Sequence, residues 1–190
     1  MELELLMTGI GGQGIQLAAQ VLARAAVGEG LFVQLFGSYG GMMRGGKTEA
    51  TLVVADVAVE TPPTVHSAYA AILMHHEYAP TVLDRVRTGG VALVNSSVFE
   101  HPVQREGVVV VDVRATDLAV EVGHIMTASM VMAGAFAKVT RLMTLDSLAE
   151  AVSESLPSYR TQHIALNVAA LHAGYSEVPA DAIPHAVVTP

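Results

Sequence analysis

Residues 2–26 run a short apolar stretch, ELELLMT, into the glycine turn GIGGQG and on into IQLAAQVLARAA. The last piece places apolar residues at Ile15, Leu17, Ala18, Val21, Leu22 and Ala25, the spacing of one helical face. A strand delivered through a tight glycine turn to a helix N-terminus opens a βαβ unit, whose helix must pack back onto a sheet. An α/β domain is therefore expected from the first two dozen residues.

The rest of the chain extends that reading. GEGLFVQLF gives a turn and a second strand, and TEATLVVADVAVET alternates so as to predict two strands with a turn at Ala55-Asp56. AYAAILM and GGVALVNSS read as strands around a helix-like EYAPTVLDRVRT, and the unbroken valines of GVVVVDV predict a buried strand. After Arg114 the pattern changes. ATDLAVEVG, MTASMVMAGAFAKVT, TLDSLAEAVSESL and YRTQHIALNVAALHAGY all have helical character with no strand between them. The expected architecture is a single Rossmann-like α/β domain over residues 1–176, with a largely parallel sheet flanked by helices and a helical C-terminal third. VPADAIPHAVVTP, with three prolines, suggests an extended C-terminal arm over residues 177–190.

Bulk properties narrow the function classes. At 190 residues the chain suits one well-buried domain. Its 52% hydrophobic and 15% charged content fits a sheet with helices on both faces, or a subunit that buries further surface on partners. A net charge of −8 with only ten Lys and Arg argues against a nucleic-acid partner. The absence of cysteine excludes disulfides and cysteine-ligated iron–sulfur or zinc sites within these residues. MELELLM lacks the basic start of a signal peptide and no apolar run reaches spanning length, so a cytoplasmic location without a membrane partner is expected.

Two glycine motifs compete for a nucleotide. GMMRGGKT matches the phosphate-loop pattern G-x-x-x-x-G-K-[ST], but such a loop works only where it opens a helix whose dipole and amides face the phosphates. Here Lys47-Thr48 leads into EATLVVAD, a strand, so no cradle forms. GIGGQG has the right flanks for a dinucleotide turn: Gly9 and Gly11 permit close backbone approach, and Gly14 permits helix packing. The second strand, LFVQLF, has Gln34 as its only polar residue and lacks the acid that would hold the ribose. A nicotinamide site, another anionic ligand and a purely structural turn all remain compatible with the turn itself. A stand-alone Rossmann-type nucleotide-binding oxidoreductase or regulator is thus the alternative class.

Taken together, GIGGQGIQLAAQVLARAA and GSYGGMMRGGKTEATLVVAD closely resemble the gamma subunit of 2-oxoacid:ferredoxin oxidoreductases. MHHEYAP, GHIMTASMVMAGAF and ALNVAALHAGY continue the likeness, which covers roughly residues 3–175. The resemblance implies a required subunit, inactive alone, of a complex that oxidatively decarboxylates a 2-oxoacid (2-oxoglutarate, pyruvate or an aromatic oxoacid) to an acyl-CoA. It implies alpha and beta partners, a ferredoxin-like delta subunit, and ferredoxin or another electron acceptor. Thiamine diphosphate, iron–sulfur clusters and CoA are then expected in the complex and none on this chain alone, which has no G-D-G motif. The loop departs from the family's usual form at Gly41-Met42 and at Lys47.

The residues carried over by the resemblance are Gly9, Gly11, Gly12, Gln13 and Gly14 of the first loop and Ser38, Tyr39, Met43, Arg44, Gly45 and Gly46 of the second. They are expected to contact substrate, CoA or a partner subunit, and no catalytic or metal-binding residue is assigned. The Arg44 guanidinium can grip a carboxylate, a CoA phosphate or a partner's acid, or can brace the loop by bonding carbonyls. Lys47 beside it would give a local positive spot. His75 and His76, at a strand end, are expected on opposite faces and so unable to share an ion. Met126, Met130 and Met132 sit among small residues and are expected in the core or an interface.

Overall fold

A computed structural model describes residues 1–39, 45–59, 65–180 and 182. Among these, six strands form one sheet: β1 (Glu2–Ile10), β2 (Phe32–Tyr39), β3 (Lys47–Ala55), β4 (Ala68–Leu73), β5 (Val86–Asn95) and β6 (Val109–Val113). Their order is β2-β3-β1-β4-β5-β6. β1, β4, β5 and β6 pair in parallel, while β3 runs antiparallel between β1 and β2. The sheet is mixed, yet β3 alone opposes the common direction.

Helices load one face. Leu5, Met7, Leu52, Val54, Ile72 and Leu93 point into a core shared with α1 (Ile15–Gly28), α4 (Ala128–Thr140), α5 (Leu145–Ser155) and α6 (Ile164–Glu177). On the other face Leu6, Leu73, Ala92 and Val94 pack on α2 (Ala79–Leu83) and on Phe99, Val103 and Val108. α4 is buried on every side except at Lys138, which explains why its sequence is apolar all round. It accepts α6 at very short range: a Cβ on Gly134 would overlap the Leu171 carbonyl, and one on Gly174 the Val131 carbonyl. α3 (Ala115–Val122) is anchored by Asn95 at the end of β5, whose amide donates to Thr116 Oγ1 at 2.9 Å while its oxygen accepts from Thr116 N at 3.1 Å.

Several expectations require correction. The second strand expected after Asp56 is not formed at residues 57–59, where Val57 is 65% exposed, and the rest of that stretch lies outside the described residues. β6 lies at the sheet edge and is only partly buried: Val111 and Val113 enter the helical core, Val110 packs on the opposite face, and Asp112 faces solvent. The segment EYAPTVLDRVRT yields only the five-residue α2 before β5 begins at Val86. Tyr159–His163 belong to a 3-10 segment, Ser158–His163, rather than to α6. Of the C-terminal arm, all but residues 177–180 and 182 lies outside the described residues.

Candidate functional site

The carboxyl end of β1 is where the two glycine loops meet. The β1–β3 ladder runs to Ile10 opposite Lys47, and its next step joins the motifs. Gly11 N donates to Gly46 O at 2.8 Å, and Gly45 N donates to Gly11 O at 3.3 Å. Two segments more than thirty residues apart thus share one backbone wall. Lys47 and Thr48 are the first residues of β3, so the phosphate-loop spelling falls on a strand. The Lys47 ammonium lies 3.0 Å from the Glu49 carboxylate, and the local positive spot expected from Lys47 is neutralised.

Gln13 braces the first loop. Its Oε1 accepts from Ile10 N at 2.9 Å and its Nε2 donates to Met74 O at 3.2 Å, tying the turn to the end of β4. Gly9 leaves room for that amide, since a Cβ there would lie 2.6 Å from Gln13 Oε1 and 3.0 Å from Met74 Cβ. Gly14 starts α1 in the left-handed region, φ 80, and faces the buried Ser129, whose Oγ would lie 2.5 Å from a Cβ. No side chain caps α1 and its first turn holds no acid, so its positive end is left open.

That end opens onto a cleft of about 460 Å³. Gly11, Gly12, Gly14 and Ile15 form one wall, and Thr48 contributes from β3. The opposite wall comes from far along the chain: His124, Met126, Thr127, Arg160, His163 and Asn167. His124 accepts from Met126 N through Nδ1 at 3.1 Å, so its Nε2 carries the proton in the neutral ring. The His124 and His163 rings meet edge-on, with centroids 6.3 Å apart. Asn167 Nδ2 donates to His163 O at 2.8 Å. Among the described residues no Asp or Glu lines this cleft, although the chain as a whole is acidic. Open helix amides, a guanidinium and two imidazoles give it hydrogen-bond donors suited to an anion, and Leu17, Leu156 and Leu166 add an apolar side.

The expected site residues therefore divide. Gly11, Gly12 and Gly14 line the cleft, Gly9 and Gln13 support it from behind, and Gly45 and Gly46 bond to it. Ser38 does not join them: it pairs with Glu49 and lines a separate hollow with Phe36, His66 and Arg85 on the other face of the sheet. Tyr39 is described as the last residue of β2, and Met43 and Arg44 lie outside the described residues. The C-terminal wall was not assigned from sequence. The signal present there was the fourfold spacing of His163 and Asn167, which puts both on one side of the α6 start.

His75 and His76 also differ from expectation. Their rings stack with centroids 4.3 Å apart, because β4 ends at Leu73 and strand alternation no longer applies. Burial, then the neighbouring His76, hold the His75 imidazole below its ordinary pKa. Among the described residues, no three His, Cys, Asp or Glu side chains gather as a metal would require. Met130 and Met132 are core residues, whereas Met126 is 52% exposed at the cleft.

A strand-turn-helix cleft on a mixed sheet, with a helical layer behind it, defines a Rossmann-like α/β class of protein. The model of the pyruvate ferredoxin/flavodoxin oxidoreductase family matches residues 4–177, and the chain belongs to that family. It is 33% identical over 164 residues to the 2-oxoglutarate synthase subunit KorC of Methanothermobacter marburgensis, covering 83% of this chain and 88% of that one. The fold is that of the gamma subunit of a keto/oxoacid ferredoxin oxidoreductase from Geobacter sulfurreducens, with a TM-score of 0.78 at 24% identity over 92% of this chain and 97% of that one. It also superposes, with a TM-score of 0.84 at 20% identity, on a 2-oxoglutarate:ferredoxin oxidoreductase from Magnetococcus marinus solved with 2-oxoglutarate, coenzyme A and succinyl-CoA bound. That match covers 97% of this chain but 32% of the other.

Proposed function

We propose that the chain is the gamma subunit of a multi-subunit 2-oxoacid:ferredoxin oxidoreductase, which oxidatively decarboxylates a 2-oxoacid to an acyl-CoA. The observation that carries this reading is the joining of the two family loops, through Gly11 and Gly45-Gly46, at one cleft lined by Arg160, His124 and His163. Alpha, beta and ferredoxin-like delta subunits hold the thiamine diphosphate and the iron–sulfur clusters, and electrons leave to ferredoxin in the cytoplasm. This chain offers no cysteine for a cluster. Its part is to receive the anionic portion of CoA, with phosphate oxygens at the start of α1 and near Arg160, and the apolar arm along Leu156 and Leu166. Arg44, beside Gly45, is proposed to add a second guanidinium toward the ligand or a partner acid. 2-Oxoglutarate is the first substrate to test, with pyruvate and aromatic oxoacids after it. The alternative nicotinamide reading is disfavoured by β2, which carries no acid and whose Gln34 amide, near the start of the strand, donates to Val59 O at 2.8 Å.

The test is co-expression with the partner subunits, followed by steady-state kinetics. A brown, cluster-bearing assembly should carry the chain, and purification of a free, colourless chain from such cells would refute the subunit assignment. Within the assembly, Arg160→Ala should raise the KM for CoA by roughly tenfold to a hundredfold, the usual range for losing a charge-assisted contact, and leave the KM for the oxoacid unchanged. An unaltered KM for CoA would remove the cleft from the CoA path.

A further inference from the structure

The two outer strands of the sheet are protected very differently. β6 is five residues long and sets Asp112 toward solvent. β2 is eight residues long, contains no proline, and lies in a stretch, residues 30–43, without a single Asp, Glu, Lys or Arg. Phe32, Leu35 and Phe36 on it are 49%, 38% and 57% exposed. Val57, just beyond the Ala55 that pairs with Phe32, adds another exposed apolar side chain. Among the described residues β2 has no strand on its outer side, and an uncharged edge of this length is a template for another strand.

We propose that β2 is a homotypic interface, in which a second copy of this chain adds its own β2 antiparallel across a two-fold axis at Gln34. The strand's sequence favours that occupant. With Gln34 opposite itself, Phe32 stands opposite Phe36 of the second copy, and the symmetry repeats the pair. Val33 then stands opposite Leu35 on the other face, again twice. Moving the axis to Leu35 sets Phe32 against Ser38 and Phe36 against Gln34, and the aromatic pairs vanish. Cross-strand aromatic and aliphatic pairs are what stabilise one antiparallel register over another. Charge points the same way. Two chains of net charge −8 repel, so they meet best across a strip that carries no charge. A closed two-fold contact also uses up the edge, leaving none for further chains.

The native chain lacks cysteine, so single thiols report contact without background. Gln34→Cys should be joined to itself by a short bismaleimide, in the purified chain and in the assembled complex, whereas Phe32→Cys should be joined far less. Sedimentation equilibrium should show a dimer for the parent chain. Phe36→Lys should weaken it by about tenfold or more while leaving the melting temperature of the exposed site's host fold near the parent value. Val120→Lys, a charge placed at an apolar residue 59% exposed on α3, should leave the dimer intact. A monomer at every concentration, a dimer indifferent to Phe36→Lys, or a Gln34→Cys thiol that joins a different subunit in the complex would each overturn the proposal.

Discussion

Gln13 shows how much can rest on one side chain. Both ends of its amide are occupied, one holding the turn closed at Ile10 and the other holding it against β4. Gly9→Ala is therefore expected to act through a neighbour: the new methyl would displace the amide and leave two backbone groups to find other partners. A loss of about 1–3 kcal/mol, the cost of leaving a buried polar group unsatisfied, should appear in chemical denaturation. A wild-type midpoint for Gly9→Ala would show that the amide is dispensable. The motif's glycines were legible in the sequence; the reason for Gln13 was not. A glutamine pattern says nothing of which carbonyl it will reach, and Met74 lies sixty-one residues away.

Among elements, the α4–α6 contact is the least forgiving. Gly174 and Gly134 let each helix approach the other's backbone, so a methyl at Gly174 has no flexible side chain to push aside. Gly174→Ala should separate the helices and cost roughly 3 kcal/mol or more, or prevent soluble expression. A melting temperature within a degree or two of the parent would contradict that packing. A second joint links the end of α1 to the start of α5, where Glu29 accepts from Thr144 N and Thr144 Oγ1, each at 2.9 Å. Hydrogen bonds from the Thr144 backbone, then the Ser147 and Thr144 hydroxyls, hold the Glu29 carboxyl below the ordinary carboxylate range. Because its folded pKa is depressed, its contribution is complete above the unfolded value and is lost as pH falls through the folded one. Glu29→Gln should flatten the acid limb of a stability-versus-pH curve and leave its shape near neutrality unchanged. An acid limb identical to the parent's would deny the joint any role. These helices were readable from periodicity, since each buries a stripe or, for α4, its whole surface. VAV after Asp56 misled because alternation records which side chains are apolar, not whether a strand lies alongside.

At the scale of the whole molecule, the cleft draws one wall from the first forty-eight residues and the other from residues 124–167. Sequence motifs mark the first wall because tight turns demand glycine there. They do not mark the second, whose members are ordinary helix-end residues brought over by the packing of α4 and α6. In the proposed role the chain supplies a binding surface, and its partners hold the carbanion stabiliser and the electron carriers. Pure chain mixed with oxoacid, thiamine diphosphate, CoA and a reducible dye should give no turnover, and measurable dye reduction would defeat the subunit reading.

The reversed strand β3 has a consequence for how the chain is made. Because β3 lies between β2 and β1, residues 1–55 already contain a three-stranded sheet with α1 laid across it, closed by contacts that need no later segment. This part emerges before β4 to β6 during synthesis, and its β2–β3 pairing, with Tyr39 opposite Thr48, is local and quick to form. Docking β4 on β1 is slower, since Leu5 must find Ala70 far along the chain before β5 and β6 can extend the sheet. Until α4 arrives, the apolar floor of Leu5, Met7, Ile72 and Leu93 stands partly uncovered. The nascent chain is thus at greatest risk of sticking to others between the completion of its first sub-sheet and the docking of its last helices.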